Sequence, residues 1–245
     1  MRAALTGQFT HLLSPRYFLP GLQLWLKSST GVTTVAGKVT LWQDLSGVGN
    51  DAAFIGDPVR PDVDNPTLTG AGGPNGEPSV LFDGINDSLS NNTLTYTLPF
   101  YYWAVVRQKT WVDGGTFWIS MSEPSLVGRI GQDGVTPNIA QSNRVDGAPR
   151  NSNSAMTLDT YFIVQALYSD ATTDFLRVGT TTSTGQDAGN DVTDHDGYRL
   201  GANQDPGAYA NIELVELCLA NCRPNPLQME QMHQYGLAFY PTLVS

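Results

Sequence analysis

The sequence is short of charge, of cysteine and of long apolar runs. Only 15% of its 245 residues are charged, and 13 basic residues against 23 acidic ones give a formal net charge of -10. Nucleic acids and anionic membrane surfaces are bound by clustered basic side chains, so we expect neither as a partner. A membrane-spanning helix needs about 20 apolar residues in succession, and the sequence contains no such run. Two cysteines, Cys218 and Cys222, are too few for a disulfide framework, so we expect buried free thiols in preference to a local disulfide or a metal site.

Acidic residues are missing from the first 20 residues, which contain Arg2 and Arg16. Prolines also interrupt this segment, so it lacks the apolar stretch of about 7–15 residues that defines a signal peptide. We therefore expect synthesis in the cytoplasm without a secretion signal, and we interpret residues 1–20 as an extended, weakly basic arm. Residues 21–245 are expected to form one domain. The arm residues predicted to contact a partner are Arg2, Phe9, Arg16, Tyr17 and Phe18.

Most of the remaining sequence has the pattern of β-strands. Leu22, Leu24 and Leu26 alternate with other residues, which is the period-two pattern of a half-buried strand. Further predicted strands, rich in aromatic and β-branched residues, lie at 38–43, 79–82, 101–109, 116–121, 161–168, 175–178, 180–184, 198–202 and 212–219. Turn signals between them favour an antiparallel sandwich. One helix is predicted to begin at Asn225, a good N-cap followed by proline, to be weakened in its last turns by Gly236, and to end before Pro241.

Several motifs occur in an order that resembles a known family. They are LWL in residues 21–27, WQDLSGVGND in 42–51, FDGIND in 82–87, YRLGAN in 198–203, and the last strand with its following helix. In this order they resemble the concanavalin A-like, laminin-G-like jelly rolls, of the kind found in phage structural proteins. The resemblance implies an all-β, antiparallel jelly-roll sandwich with the extended arm in front and one short C-terminal helix. We interpret 44–51 and 83–87 as structural turns in preference to ligand sites, because their Asp, Ser and Asn side chains can bond the loop backbone.

The family includes glucanases, which place two carboxylates about 5–9 Å apart across the scissile bond. The Glu-x-Asp-x-(x)-Glu pattern of those enzymes does not occur here. Glu213 and Glu216 are the closest carboxylates on a predicted strand, and their odd spacing predicts that they point to opposite faces. We therefore predict a protein without enzymatic activity and without a catalytic residue.

Two other groups of residues are candidate binding sites. The first is the acidic loop 187–197, which we interpret as a solvated loop, with Ca²⁺ binding through Asp187, Asp191, Asp194 and Asp196 as the alternative. No other cofactor is expected. The second is a set of aromatic residues that would stack on a glycan, with core packing as the competing interpretation. Its members are Tyr101, Trp103, Trp111 and Trp118.

Two functions follow from these expectations. The resemblance favours a phage virion structural protein, first a capsid decoration protein attached through its arm and next a tail-associated protein. Its partners would then be the major capsid or tail proteins, within an oligomeric assembly in the virion. The alternative is a carbohydrate-binding lectin or adhesin module that contacts host polysaccharide.

Overall fold

The computed structural model describes residues 14–54, 64–111, 117–121, 127–132, 138–142, 151–153, 155–169, 174–184, 195–202 and 208–243. The first strands within these ranges are β1 (Leu22–Lys27), β2 (Val32–Val35), β3 (Lys38–Trp42), β4 (Ala52–Ala53), β5 (Thr67–Thr69), β6 (Ser79–Asp83), β7 (Leu89–Tyr96), β8 (Phe100–Gln108) and β9 (Phe117–Met121). The later strands are β10 (Val127–Gln132), β11 (Ile139–Ser142), β12 (Asn151–Asn153), β13 (Tyr161–Tyr168), β14 (Phe175–Val178), β15 (Thr181–Thr184), β16 (His195–Leu200) and β17 (Asn211–Ala220). The helices are α1 (Pro15–Phe18) and α2 (Pro226–Phe239).

The strands form two antiparallel layers, as the sequence predicts. The first sheet has the order β1–β17–β8–β13–β14–β15. The second sheet has the order β3–β4–β7–β16–β9–β10–β11–β12. At one edge β6 pairs with β17, β5 with β6, and β3 with β5, so the two sheets are joined by hydrogen-bonded strands. The fold is an antiparallel β-sandwich.

Two apolar cores stabilise this arrangement. The inter-sheet core is formed by the inner faces of both sheets and includes Tyr102 and Val164 from the first sheet and Trp118 and Leu200 from the second. The second core lies on the outer face of the first sheet, which we define as the face that α2 covers. There Met232 and Tyr235 of α2 pack on the strands beneath. The central strands of the first sheet are thus buried on both faces, and this explains the almost uninterrupted apolar sequence of β13 and β17.

The start of α2 agrees with the sequence prediction. The Asn225 side chain accepts a hydrogen bond from the Gln228 backbone at 2.9 Å, and the Gln228 side chain accepts one from the Asn225 backbone at 2.8 Å. This is a capping box, which satisfies two backbone donors at the helix start. The helix ends at Phe239, just before the predicted stop at Pro241, because its buried side chains hold the last turns against the sheet. Within the part of the chain that the structure describes, no helix is long and apolar enough to cross a membrane.

The N-terminal segment differs in part from the predicted extended arm. Arg2 and Phe9 lie outside the described residues, whereas Pro15–Phe18 form one helical turn that Ser14 caps. Leu19 is 1% exposed in the second core, and the Arg16 side chain donates to the backbone oxygen of Leu45. Residues 14–20 therefore belong to the folded body, since their proline, hydroxyl and apolar side chains make local and tertiary contacts.

Three residues predicted to contact a partner lie in this segment: Arg16, Tyr17 and Phe18. The guanidinium of Arg16 already donates a hydrogen bond to the backbone oxygen of Leu45. Phe18 packs partly buried against the second core, and Tyr17 is 67% exposed. Only Tyr17 therefore presents an aromatic surface to a partner.

The loop at residues 44–51 is a structural turn, as interpreted from the sequence. The Asp44 carboxylate accepts hydrogen bonds from the backbone N–H groups of Trp25, Ser46, Gly49 and Asn50 at 2.8–3.0 Å. These bonds occupy the carboxylate and fix the loop beside β1.

Candidate functional site

A β-bulge in β17 determines which side chains lie on the outer face of the first sheet. Opposite β8, Glu213 pairs with Arg107, Leu214 with Val106 and Glu216 with Val105, so Val215 is an extra residue. An extra residue inverts the alternation beyond it. Glu213 and Glu216 therefore lie on the same face, and the prediction of opposite faces is wrong.

The Glu216 carboxylate is fully buried and joins three elements. It accepts hydrogen bonds from Trp25 Nε1 of β1 at 2.6 Å, from Tyr235 Oη at 2.7 Å and from Tyr240 Oη at 2.5 Å. Burial, followed by the proximity of Glu216, raises the pKa of both tyrosines far above the ordinary value, so their hydroxyls remain donors. This network attaches α2 to the sheet.

Glu213 belongs to a second network toward the other end of the same face. Its carboxylate forms a salt bridge with Arg107 and accepts hydrogen bonds from Tyr161 Oη and, at 3.1 Å, from Ser79 Oγ. The Arg107 guanidinium also lies over the Tyr161 ring, 4.5 Å from its centroid. Burial and the bond to Glu213 raise the pKa of the Tyr161 hydroxyl. The two carboxylates are therefore engaged in separate networks.

An open cavity of about 300 Å³ lies on this face between the β14–β15 edge and the first turn of α2. Strand register builds its floor, because Gln165 of β13 is paired with Arg177 of β14, which is paired with Thr182 of β15. The next row brings Phe175 beside Thr184. Side chains paired in this way have Cβ atoms about 4.5–5.5 Å apart, so their functional groups converge. The lining residues are Gln165, Phe175, Arg177, Thr182, Thr184, Pro226 and Met229.

Gln165 provides an unused donor at the base of this cavity. Its Oε1 accepts a hydrogen bond from Tyr101 Oη at 2.6 Å, while its Nε2 is buried and has no partner among the described residues. Burial raises the pKa of Tyr101 well above its ordinary value, so this hydroxyl stays protonated and can hold the amide oxygen. Leaving a buried donor unsatisfied is costly, so this donor needs an explanation, and a hydrogen-bonding ligand would supply one.

Arg177 is the cationic residue of the cavity. Its Nε donates to the backbone oxygen of Gly179 at 2.9 Å, and its Nη1 lies 3.4 Å from Glu230 Oε2 of α2. Hydrogen bonds from Gln234 and Arg177 lower the pKa of Glu230, which is therefore ionised at neutral pH. No described residue accepts a hydrogen bond from the remaining nitrogen, Nη2.

The predicted aromatic glycan residues do not form an exposed stacking surface. Tyr101 and Trp103 are fully buried on the outer face beneath α2, and Trp118 is 1% exposed in the inter-sheet core. Trp111 is partly buried against that same core. The structure thus supports the competing interpretation of core packing, because a strand face covered by a helix has the same sequence pattern as one that stacks on a ligand. Tyr101 alone is connected to the cavity, through Gln165.

The predicted metal loop lies mostly outside the described residues, which include neither Asp187, Asp191 nor Asp194. Asp196 is placed by its backbone in β16, so the end of the predicted loop is a strand. Across the described ranges, no group of three or more His, Cys, Asp or Glu side chains could hold a metal ion. Calcium binding stays a prediction.

Gln165, Phe175, Arg177, Thr182 and Thr184 were not singled out by the sequence. One available signal was Gln165 itself, the sole polar residue between Phe162 and Leu167 in an apolar strand. Burying an amide costs free energy unless it is hydrogen-bonded, so a glutamine in a buried strand indicates a polar partner nearby. The other members came together through strand pairing, which the sequence does not display.

Among the solved structures similar to this chain are sialidases, a domain of an arabinanase and an arabinofuranosidase. A sialidase from Trypanosoma rangeli in complex with sialic acid matches with a TM-score of 0.59 at 13% identity, over 88% of this chain and 33% of the sialidase. Domain 4 of AbnA, a GH43 extracellular arabinanase from Geobacillus stearothermophilus, in complex with arabinotriose, matches with a TM-score of 0.62 at 11% identity, over 88% of this chain and 100% of that domain. A mutant GH54 α-L-arabinofuranosidase matches with a TM-score of 0.62 at 18% identity, over 91% of this chain and 60% of the arabinofuranosidase.

This chain therefore spans about one third of the sialidase. Neither a protein-family model nor a curated protein sequence matches it. The prediction of a protein without enzymatic activity is overturned by the structural matches, because the structures with this fold include sialidases and an arabinofuranosidase. At identities of 11–18% the likeness shows the fold alone, and it assigns no role to any residue of this chain.

Proposed function

We propose that this chain is a concanavalin A-like jelly-roll module that binds a saccharide in the cavity between β13–β15 and α2. The observation that carries the proposal is the unpartnered Nε2 of Gln165, buried at the base of a cavity that also contains Phe175 and Arg177. Ligand pockets combine apolar walls with a few polar groups that fix orientation, and this cavity has that composition.

The chemistry of the lining suits a sugar ring. Phe175, Pro226 and Met229 supply an apolar wall for the C–H face of a ring, while Gln165, Arg177 and the two threonine hydroxyls supply hydrogen-bonding groups. A volume of about 300 Å³ lies at the lower end of the range for small-molecule sites, which suits one terminal sugar of a longer chain. The complexes of structurally similar proteins with sialic acid and with arabinotriose support a sugar as the ligand.

The test is isothermal titration calorimetry of the full chain, after a glycan array has selected the strongest ligands. We expect Arg177→Ala and Phe175→Ala each to weaken binding about tenfold or more, since each removes a principal contact. Leu227→Ala is the matched control, because Leu227 lies on α2 beside the cavity, is 67% exposed and does not line it. Circular dichroism and the Tm would establish that the variants are folded. Saccharide binding that both cavity variants leave unchanged would refute the proposed site, and the absence of any bound saccharide would refute the proposed function.

A further inference from the structure

The two nitrogen groups of the cavity that lack a described partner, on Gln165 and Arg177, are donors. The amide oxygen of Gln165 already accepts a hydrogen bond from Tyr101, so the unpartnered group of Gln165 is the donor Nε2. The adjacent Arg177 has no acceptor atom, and its Nη2 has no partner among the described residues. No carboxylate is among the described residues that line the cavity. A ligand group that fits this base must therefore accept at least two hydrogen bonds.

The geometry points to a carboxylate-bearing saccharide. Gln165 and Arg177 are direct partners in the pairing of β13 with β14, so their donors project side by side from the same face. A carboxylate has two oxygens that accept such a pair of bonds, and a bond from a guanidinium to a carboxylate is stronger than one to a neutral hydroxyl. We propose that the cavity selects the acidic sugar residues of a glycan, such as a uronic acid or a sialic acid. This inference rests on the proposed function and specifies the ligand class of that same site.

Glu230 acts on this preference as an internal competitor. Its carboxylate on α2 lies 3.4 Å from Arg177 Nη1, and its side chain is half exposed. An acidic ligand must share Arg177 with Glu230. Removing the charge of Glu230 should therefore strengthen the binding of acidic sugars and leave neutral sugars unaffected.

The experiment measures the affinity of the full chain for glucuronic acid, galacturonic acid and N-acetylneuraminic acid by calorimetry. The matched uncharged ligands are the methyl esters of the same sugars, together with glucose and galactose. We expect each acid to bind about tenfold or more tightly than its ester, and this difference to shrink between 50 and 500 mM NaCl because salt screens exposed charges. In Arg177→Gln, which keeps donors but lacks the charge, acids and esters should bind equally. In Glu230→Gln, the affinity for acids should rise severalfold while that for the esters stays constant.

The outcomes separate this inference from the proposal on which it rests. If neutral sugars bind as tightly as acids, and Phe175→Ala still abolishes binding, the site exists and the acidic preference is refuted. If no sugar binds, acidic or neutral, both proposals fail. An acidic preference that persists in Arg177→Gln would also overturn the inference, because the charge responsible would lie elsewhere.

Discussion

Glu216 of β17 ties α2 and β1 to the first sheet. Three donors converge on its carboxylate, from the buried Tyr235 and Tyr240 and the partly buried Trp25. A buried carboxylate is tolerated where several donors satisfy it, and removing it leaves all of those donors without an acceptor. The same attachment positions Pro226 and Met229 over the cavity, so this residue supports the site from a distance.

We expect Glu216→Ala to lower the free energy of unfolding by roughly 3–5 kcal/mol, because each orphaned buried donor costs about 1–3 kcal/mol. For a chain of this length the Tm should fall by roughly 6–20 °C. Urea unfolding and calorimetry measure both quantities. Tyr240→Phe is the matched control, since it removes one donor and keeps the ring, and it should cost only about 1 kcal/mol. Equal effects of the two substitutions would show that the carboxylate does not have this role.

At the scale of elements, pattern alone predicted most of the fold. β13 and β14 occur at the predicted positions, and the capping residues of α2 were identified from Asn225 and Pro226. Period-two alternation and cap residues are local signals, so the sequence displays them directly. The bulge at Val215 is different, because an extra residue is defined only by the strand that it faces.

The candidate site was not predictable for the same reason. Gln165, Arg177 and Thr182 come from three strands, and only the register between those strands places them in one row. The predicted aromatic residues do not form an exposed site, because α2 covers Tyr101 and Trp103 while Trp118 lies between the sheets. A strand's alternation does not reveal what lies over either face. Local propensity thus predicts elements, whereas sites composed across elements depend on packing and register.

Gly236 shows how closely α2 approaches the sheet. A Cβ at this position would lie 2.6 Å from Ile163 Cδ1 and 2.9 Å from Trp103 Cζ2. The sequence suggested that this glycine weakens the last turns, but it permits the close packing that holds them. Helix propensity favours alanine by about 1 kcal/mol, and overpacking a core costs about 1–3 kcal/mol.

We therefore expect Gly236→Ala to destabilise the protein by about 1 kcal/mol in urea unfolding, because the clash outweighs the gain in propensity. Ile163→Val removes the nearest atom, so in that background the same substitution should cost less or become stabilising. A Gly236→Ala variant that is more stable than the parent in both backgrounds would mean that the helix is not packed as closely as the structure shows.

At the scale of the whole molecule, the functional predictions differ in the evidence that supports them. The β-sandwich is established by the structure, and saccharide binding is supported by the cavity and by the carbohydrate ligands of similar structures. Attachment to a phage capsid or tail stays a prediction from sequence resemblance. Residues 14–20 now belong to the folded body, so a contact surface in this segment would centre on the exposed Tyr17.

The pH dependence of global unfolding also follows from particular residues in this acidic chain. Burial raises the pKa of Asp87 from 3.8 to about 6, and the neighbouring Asp83 and Asp64 add to this, although the Asp83 backbone N–H and Lys38 oppose it. The folded state thus holds a proton on Asp87 more tightly than the unfolded state does. The contribution of Asp87 to stability is fully present below about pH 3.8 and is lost as the pH rises through about 6. At neutral pH the native fold maintains an ionised carboxylate in a buried position.

We expect Asp87→Asn to raise the Tm relative to the parent at pH 7.5 and to do so much less at pH 4.5, where the parent carboxyl is already protonated. Asparagine can still accept the bond that the Asp83 backbone donates at 2.9 Å, so the turn should be preserved. The control is Asp159→Asn, since the hydrogen bond from Lys109 lowers the pKa of this exposed carboxyl and keeps it ionised at both pH values. The Tm difference between that variant and the parent should be nearly the same at the two pH values. The measurement is the Tm of thermal unfolding at pH 4.5 and 7.5. A Tm difference between Asp87→Asn and the parent that does not change with pH would show that Asp87 ionises as readily in the folded chain as in the unfolded one.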